Sequence, residues 1–405
     1  MSKGVLICTY FSYRDGLTQA YTLPYVRIIR NFIPSQFPVY LLTIEKEKLR
    51  LSEKELSKVR QELTAYGIYL VSLPYVSPGF SMIRWLPGLF RLILVSYSKR
   101  IDTLHGWCTP GGSIALFLSI ITRKRLVLDS FEPHAEVMLE TGTWPRNSIR
   151  FRILFSLEKI MARKSAAQIC CTSSMLDYAR EKYGCRLSRP MVKPACVSFE
   201  LFNRFQKNKL ISQQSLAFEN KFVCIYAGKF GGLYLDDEFF DLIDTARSVI
   251  GDRFHLLLLS EESSDRIALQ FKVRQIPLCV LTHLHVSHVD VPKWASLADF
   301  AVAPYKPVKS RRHAAPIKVS EYWALGLPTV ITKGIADDSE LVESKRLGSV
   351  ILELNRVSYV SAINAVLELI NIEGKENLAQ RIISVAREIR SFAIAERVYR
   401  DLYAK

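Results

Sequence analysis

The sequence predicts an α/β protein with two domains, each built around a parallel β-sheet. Short apolar runs rich in Val, Ile and Leu recur along the chain and alternate with stretches of helical periodicity. This alternation is typical of strands that are buried on both faces and joined by crossover helices. The chain has 405 residues, which is too long for one ordinary core and fits two domains of about 200 residues each.

Composition and charge narrow the class of protein. Hydrophobic residues make up 49% of the chain and charged residues 23%, which indicates a globular protein. The net charge of +16 implies an anionic partner, such as nucleic acid, anionic lipid or a phosphorylated ligand. Zinc-type Cys/His spacing, an RNA-binding aromatic signature and a basic recognition helix do not stand out, so we predict no nucleic-acid partner.

The cysteines and histidines predict neither disulfides nor a metal site. The eight cysteines are scattered, and several fall inside apolar strand-like runs, which favours buried free thiols in a reducing compartment. The first apolar run is too short for a signal peptide and suits a first strand, so we expect a cytoplasmic protein. His283, His285 and His288 raise the possibility of metal, but only Asp290 accompanies them, and we predict none.

The first domain is predicted to span residues 1–203. Its predicted strands are 5–9, 39–44, 68–73, 101–105, 126–129, 167–172 and 191–197. Gly16, in the loop after the first strand, lets the backbone approach a ligand closely, although glycine is also a common turn residue. The absence of GxGxxG in this loop argues against a dinucleotide-dependent dehydrogenase.

Titratable residues follow the strand predicted at 126–129. Asp129, Glu132, His134 and Glu136 lie where the carboxyl end of a parallel strand opens towards ligands. This position suits groups that orient an acceptor or transfer a proton. A solvated loop explains the same residues nearly as well.

The segment 74–100 has the most unusual composition of the first domain. It is apolar, basic and carries Trp85, but its apolar run is too short and too interrupted to span a bilayer. Such a segment can lie in a membrane interface, or it can form a core helix. The two can coexist, with 80–90 as the membrane-touching part.

A polar stretch at 204–220 is predicted to link the domains, and the second domain is predicted at 221–388. Its predicted strands are 222–226, 255–260, 278–284, 299–304 and 327–332. The first of these is followed by a loop with Gly228, Lys229 and Gly231, whose amides and charge suit a diphosphate. A merely flexible loop is the alternative.

The stretch 312–332 organises the rest of this domain. Pro316 suits the first position of a helix of about three turns, which Gly326 and Pro328 end. The unpaired N–H groups of the first helical residues, Ile317 among them, and the charge of Lys318 favour a phosphate at the helix start. Glu321 lies one turn deeper, where it can accept hydrogen bonds from a sugar. The alternative is an ordinary helix with an exposed Glu321.

Residues 316–332, PIKVSEYWALGLPTVIT, resemble the donor-site segment of GT-B glycosyltransferases, especially the retaining GT4 family. The resemblance implies two Rossmann-like domains facing a cleft, with a last helix, 389–405, that returns to the first domain. It also implies a diphosphate at Lys229 and Lys318, ribose at Glu321 and a base near His285. Gly16 would face the donor phosphates and the acceptor, and Glu132 and His134 would face the sugar and the acceptor. Two departures concern His313, where the family has a first glutamate, and Tyr234, near the place of a second lysine.

The function that follows is sugar transfer from a nucleotide-diphosphate sugar to a glycan or lipid-linked acceptor, in surface polysaccharide or glycoconjugate synthesis. Retention at the anomeric carbon is implied by the resemblance alone. Glu132, His134 and Lys229 are the predicted catalytic residues, and no cofactor is predicted beyond the donor. Two alternatives stay open: a GT-B nucleotide-sugar 2-epimerase, and a non-catalytic module that docks on an anionic membrane or scaffolds an assembly. A peripheral position at the inner face of the membrane is part of the expectation.

Overall fold

A computed structural model describes residues 4–76, 85–204 and 218–404. The chain divides into two compact units. Unit 1 contains Met1–Ala135, Ile149–Lys193 and Ala393–Lys405, and unit 2 contains Glu136–Ser148 and Pro194–Phe392. The linker predicted at 204–220 lies almost wholly outside the described residues, so the predicted domain limits stay a prediction.

Unit 1 is built on a parallel sheet of seven strands in the order β3-β2-β1-β4-β5-β6-β7. The strands are β1 Gly4–Cys8, β2 Val39–Glu45, β3 Ile68–Pro74, β4 Ile101–Trp107, β5 Arg125–Phe131, β6 Ala167–Cys170 and β7 Pro190–Val192. The helices that connect them are α1 Leu23–Phe32, α2 Glu53–Ala65, α3 Leu86–Ser98, α4 Cys108–Thr122, α5 His134–Glu140, α6 Ile149–Lys164 and α7 Met175–Tyr178. The chain passes from unit 1 to unit 2 within α5.

Unit 2 repeats this architecture with six parallel strands in the order β10-β9-β8-β11-β12-β13. The strands are β8 Phe222–Ala227, β9 Phe254–Leu259, β10 Leu281–Leu284, β11 Phe300–Ala303, β12 Thr329–Thr332 and β13 Gly348–Ile351. The helices are α8 Asp237–Ile250, α9 Ser264–Val273, α10 Val291–Ala295, α11 Ile317–Ala324, α12 Asp338–Ser344, α13 Arg356–Glu373 and α14 Lys375–Arg390. The last helix, α15 Phe392–Tyr403, lies in unit 1 except for its first residue.

The predicted α/β class with two parallel sheets is confirmed, but several boundaries were wrong. Residues 278–280 form a short helical turn before β10, so the predicted strand 278–284 is shorter than expected. The strand predicted at 191–197 is limited to β7. The edge strand β13 was missed because its four residues are too few to show a periodic pattern.

Pro110, Gly111 and Gly112 are part of α4, although such a run of residues is typical of a loop. The glycines allow the helix to pack closely on the sheet. A Cβ on Gly111 would lie 2.2 Å from the carbonyl oxygen of Cys8, and one on Gly112 would lie 2.9 Å from Sδ of Met161. Tertiary packing therefore overrides the usual preference of glycine for turns.

The segment 74–100 forms the end of β3 and then α3 in its described part, while 77–84 lies outside the described residues. Leu92 is completely buried, as expected of a core helix, whereas Phe90 is 62% exposed. Among the helices that the structure describes, none is long and apolar enough to cross a membrane.

The cysteine prediction was right about pairing and partly right about burial. All eight cysteines are free thiols. Five are buried, two are half-buried, and Cys279 is exposed. Burial raises the pKa of the Cys8 thiol to about 12, so this thiol is unreactive.

Candidate active site

In unit 2, the candidate donor site begins where β8 ends. The Gly228 N–H donates to the carbonyl oxygen of Leu259 at 2.9 Å, which ties the start of the loop to the neighbouring strand. The Tyr226 hydroxyl donates to the carbonyl oxygen of Lys229. Gly231 and Gly232 have φ values of 68° and 58°, a left-handed conformation that side-chain-bearing residues rarely adopt. The loop is therefore a fixed glycine turn at the carboxyl end of a central strand.

Lys318, on the first turn of α11, lies against this turn. Its Nζ is 3.8 Å from the centroid of the Tyr234 ring and 5.1 Å from that of Tyr226. A Cβ built on Gly228 would lie only 2.0 Å from the same Nζ. The ammonium group is thus held between two aromatic rings and a glycine backbone, beside the start of a helix.

The helix α11 is joined to the glycine turn by a second contact. The Ala227 N–H donates to the hydroxyl of Tyr322, a buried residue of α11, at 2.9 Å. Pro316 is extended, with ψ of 127°, and immediately precedes the helix, so its prediction as the first helical residue was wrong by one position. The helix has eight residues, about two turns instead of three. It ends as predicted at Gly326, whose φ is 71°.

The first N–H groups of α11, those of Ile317, Lys318 and Val319, have no acceptor within the helix by its geometry. Ile317 and Lys318 are both partly exposed. The arrangement places unpaired donors and one full positive charge next to the glycine turn. Together these groups suit a phosphate.

Glu321 is buried, which contradicts the alternative of an exposed side chain. Its Oε1 accepts a hydrogen bond from Nε2 of His288 at 2.7 Å. Burial alone lowers the pKa of His288, but the hydrogen bond and charge of Glu321 outweigh it and raise the pKa above its usual range. From the sequence, His288 was considered as part of the loop near the predicted base and as a possible metal ligand, because the sequence gives no sign that this loop meets α11.

Three other predicted donor residues are less enclosed. The side chains of Lys229 and His285 are 76% and 71% exposed. Each lies near Glu261, in the loop after β9, with distances of 4.0 Å for Lys229 and 3.8 Å for His285. His313 is half-buried and ends the helical turn that precedes α11. Lys229 is therefore more exposed than the half-buried Lys318, and it pairs only weakly with a carboxylate.

Tyr234 and Arg311 were not among the predicted site residues. Burial alone raises the pKa of Tyr234, yet the charges of Lys318 and Arg311 outweigh it and hold this pKa below its usual range. Arg311 is only 5% exposed, and its guanidinium lies 5.0 Å from the centroid of the Tyr305 ring. The stretch 306–312 is rich in Lys and Arg, but its sequence does not show that Arg311 is the buried cation.

In unit 1, the loop after β5 places two predicted catalytic residues side by side. Nδ1 of His134 lies 3.7 Å from Oε1 of Glu132, and both side chains are about one-fifth exposed. The Glu132 carbonyl oxygen accepts a hydrogen bond from the Thr109 hydroxyl at 3.1 Å. Gly16 is exposed, and a Cβ there would meet nothing within 4 Å, so packing does not require glycine.

Asp129 lies beneath that loop and is completely buried. Its Oδ2 accepts from the Tyr399 hydroxyl at 2.5 Å and lies 3.2 Å from Nε2 of His105. Its Oδ1 forms a 3.2 Å ion pair with Nζ of Lys193, which is also completely buried. The ammonium lies 3.7 Å from the centroid of the Tyr25 ring. Asp129 therefore holds the base of the loop and does not face solvent.

A second buried carboxylate, Glu158 of α6, supports the start of α5. Its Oε1 accepts from the Ala135 N–H and its Oε2 from the Tyr183 hydroxyl, both at 2.9 Å. Burial raises its pKa to about 7, although both hydrogen bonds act in the opposite direction. Glu158 is the only acidic residue of the basic helix α6, and this contrast is the sequence signal that would have identified it.

The stability contribution of Glu158 should depend on pH. Its pKa is about 7 in the folded chain and about 4.5 in the unfolded chain, so the folded form keeps its proton to higher pH. The free energy of unfolding should therefore fall by about 3 kcal/mol as pH rises between these values. Glu158→Gln keeps an acceptor for Ala135 and should abolish this fall in urea unfolding. The exposed control Glu62→Gln should retain this fall in the free energy of unfolding. If Glu158→Gln and the native protein gave parallel pH profiles, the fall could not be assigned to Glu158.

Replacing Gly228 by alanine should disturb the candidate donor site and leave the stability of the chain nearly unchanged. In Gly228→Ala, the Cβ would collide with Nζ of Lys318, which Tyr226 and Tyr234 confine. We expect donor affinity to fall by roughly tenfold or more, because the ammonium must leave its place, with a change in stability below about 1 kcal/mol. Isothermal titration with a nucleotide-diphosphate sugar measures this. Gly142→Ala, in the same unit, places its Cβ where no atom lies within 4 Å and controls for the loss of a glycine without a collision.

Among the residues that the structure describes, no group of three or more His, Cys, Asp and Glu side chains could hold a metal ion. A bound divalent metal ion can neutralise the negative charge of a diphosphate. In the candidate site, Lys318 and the start of α11 lie against the glycine turn, and Lys229 belongs to the turn itself.

No family model matches the chain, and no curated protein sequence matches it significantly. Solved structures do match over the full length. The sucrose-phosphate synthase of Thermosynechococcus elongatus superposes with a TM-score of 0.73 over 100% of both chains at 12% identity. Anabaena HepE in complex with UDP-glucose gives 0.72 over 98% of both chains at 13% identity. WaaG, a glycosyltransferase involved in lipopolysaccharide biosynthesis, gives 0.71 over 99% of this chain and 100% of its own at 14% identity.

At such identities the likeness defines the fold. The chain has the GT-B glycosyltransferase fold, as the sequence predicted, with one parallel α/β sheet in each of its two units. The structures that share it include members of the GT4 class.

Proposed function

We propose that this chain is a glycosyltransferase of the GT4 type, which moves a sugar from a nucleotide-diphosphate sugar to a glycan or lipid-linked acceptor. The observation that carries the proposal is the position of Lys318. Its ammonium lies against the Gly228 turn, at the carboxyl end of β8 and beside the start of α11. Ligands of doubly wound sheets bind at such strand ends, and a diphosphate needs this combination of charge and N–H donors.

In this proposal, Lys318 and the first N–H groups of α11 stabilise the negative charge that develops on the diphosphate as the glycosidic bond breaks. Glu321 accepts hydrogen bonds from the ribose, with His288 fixing the orientation of its carboxylate. The exposed Lys229 and His285 close on the diphosphate and the base once the donor is bound. His313 contacts the sugar or the phosphate in place of a carboxylate.

In unit 1, Glu132 and His134 orient the sugar and the acceptor in the proposed reaction. Asp129 and Glu158 act through them, because they hold the backbone on either side of the pair. Transfer with retention, a place in polysaccharide or glycoconjugate synthesis and a cytoplasmic location complete the proposal.

HepE, which shares the fold, is bound to UDP and glucose in one structure and to UDP-glucose in another. UDP-sugars are therefore the first donors to test. A thermal-shift screen should compare UDP-, GDP- and ADP-sugars, since a ligand that binds only the folded chain raises its melting temperature.

We expect one nucleotide series to stabilise the protein in a saturable way. Absence of any shift would contradict sugar transfer and favour the scaffold alternative. The 2-epimerase alternative is tested by incubating the donor without an acceptor and analysing the released sugar. Conversion of the donor sugar under these conditions would identify a 2-epimerase.

A further inference from the structure

Three helices of unit 1 form an outer layer on one face of its sheet. They are α3, α4 and α6, and α4 contacts both of its neighbours. Their inner residues Leu92, Leu116 and Met161 belong to one buried core cluster. Because these inner faces already fill the core, the opposite faces of the helices meet solvent.

The outer faces carry large apolar side chains at a density that is unusual for a solvated layer. Phe90 of α3 is 62% exposed, Ile120 of α4 is 56% exposed, and Ile149 of α6 is 70% exposed. Leu94, Phe117 and Ile153 are also exposed on the same three helices. Single exposed apolar residues are ordinary, but a group of them on adjacent helices marks an interaction surface.

The charges of this layer have one sign. The three helices contain a single acidic residue, Glu158, and its side chain is completely buried. Arg91, Arg150 and Arg152 are exposed on them. All residues of these helices are described, so their exposed charges are exclusively positive.

We propose that this apolar–basic surface, the outer faces of α3, α4 and α6, docks on an anionic lipid bilayer. Phe and Ile side chains can enter the boundary between headgroups and acyl chains while the arginines contact anionic headgroups. A second copy of the chain would bring the same positive charges together, which disfavours self-association through this surface. The inference deepens the proposed function, because a lipid-linked acceptor would be met at the same membrane.

The sequence pointed to part of this surface only. The segment 74–100 contains α3, whereas α4 and α6 gave no membrane signal, since their exposed Ile and Phe residues look like core residues in a helical pattern. The fold places the three helices next to each other and makes one continuous layer.

Flotation of the full-length chain with lipid vesicles tests the inference. We expect binding to vesicles rich in phosphatidylglycerol and little binding to phosphatidylcholine alone. Phe90→Ser/Ile153→Ser should weaken binding by roughly tenfold or more, because buried apolar area is lost. Arg150→Gln/Arg152→Gln should weaken it by roughly 30-fold, at about 1 kcal/mol for each arginine.

The matched control is Val357→Ser, a substitution at an 81% exposed apolar residue of unit 2, which should bind like the native protein. Circular dichroism and thermal melting verify that each variant is folded. Absence of binding to anionic vesicles, or binding that both double variants retain, would overturn the inference. Dimers that dissociate in Phe90→Ser/Ile153→Ser, without vesicle binding, would assign the surface to a second copy and overturn it as well.

The thermal shift with nucleotide-diphosphate sugars is measured on the same samples. A double variant that keeps the shift and loses the vesicles supports docking independently of catalysis. Vesicle binding without any donor shift would contradict the proposed function and leave the docking surface in place.

Discussion

Replacing Lys318 by methionine is expected to weaken binding of a nucleotide-diphosphate sugar by roughly 10- to 150-fold. This range corresponds to the loss of a hydrogen bond between charged groups, which is worth about 1.5–3 kcal/mol. Methionine is an unbranched apolar side chain that can occupy the place of the lysine beside Tyr226 and Tyr234, so the glycine turn should stay in place. The variant therefore isolates the ammonium charge from the shape of the site.

Isothermal titration measures this loss of affinity, over a range of donor concentrations that saturates the native protein. Lys272→Met, on the exposed surface of α9, removes one positive charge from the same unit and controls for net charge. Lys229→Ala should have a smaller effect than Lys318→Met, because its side chain is 76% exposed and lies near Glu261. Equal affinity in Lys318→Met and the native protein would place the diphosphate elsewhere.

The sequence was sufficient for the fold class and for the approximate limits of α11 because both depend on local patterns. Buried parallel strands are continuous apolar runs, and the start and end of α11 are marked by Pro316 and Gly326. Pro316 also indicated where the unpaired N–H groups of α11 begin. Gly228 indicated the loop whose amides could face a ligand. Local chemistry therefore predicts a place for a phosphate, which stays a prediction, without showing how tightly each charge is held.

What the sequence could not show is which charges are buried together. Asp129 lies on β5 and Lys193 directly follows β7, and nothing near either residue in the chain predicts the ion pair. The same is true of His288 and Glu321, which meet only because α11 packs beside the loop after β10. The burial of a charged side chain depends on its partner, so tertiary structure decides it.

The buried pair in unit 1 provides the second large effect. We expect Lys193→Met to lower the free energy of unfolding by about 3–5 kcal/mol, since it leaves a buried carboxylate without its cation. Burial alone raises the pKa of Asp129, but Lys193, His105 and Tyr399 outweigh it and hold this pKa at about 2. This stabilisation is present above the unfolded pKa of about 3.8 and is lost as pH falls towards 2.

A double-mutant cycle separates the ion pair from the packing of the lysine stem. Lys193→Met/Asp129→Asn removes both charges, while the amide can still accept from the Tyr399 hydroxyl. If the loss in Lys193→Met comes from an unpaired charge, the double variant should recover at least about 2 kcal/mol in urea unfolding at neutral pH. Additive losses would instead mean that Lys193 acts through its stem and through the ring of Tyr25. Recovery would show that Asp129 and Lys193 stabilise the base of the Glu132–His134 loop mainly by neutralising each other.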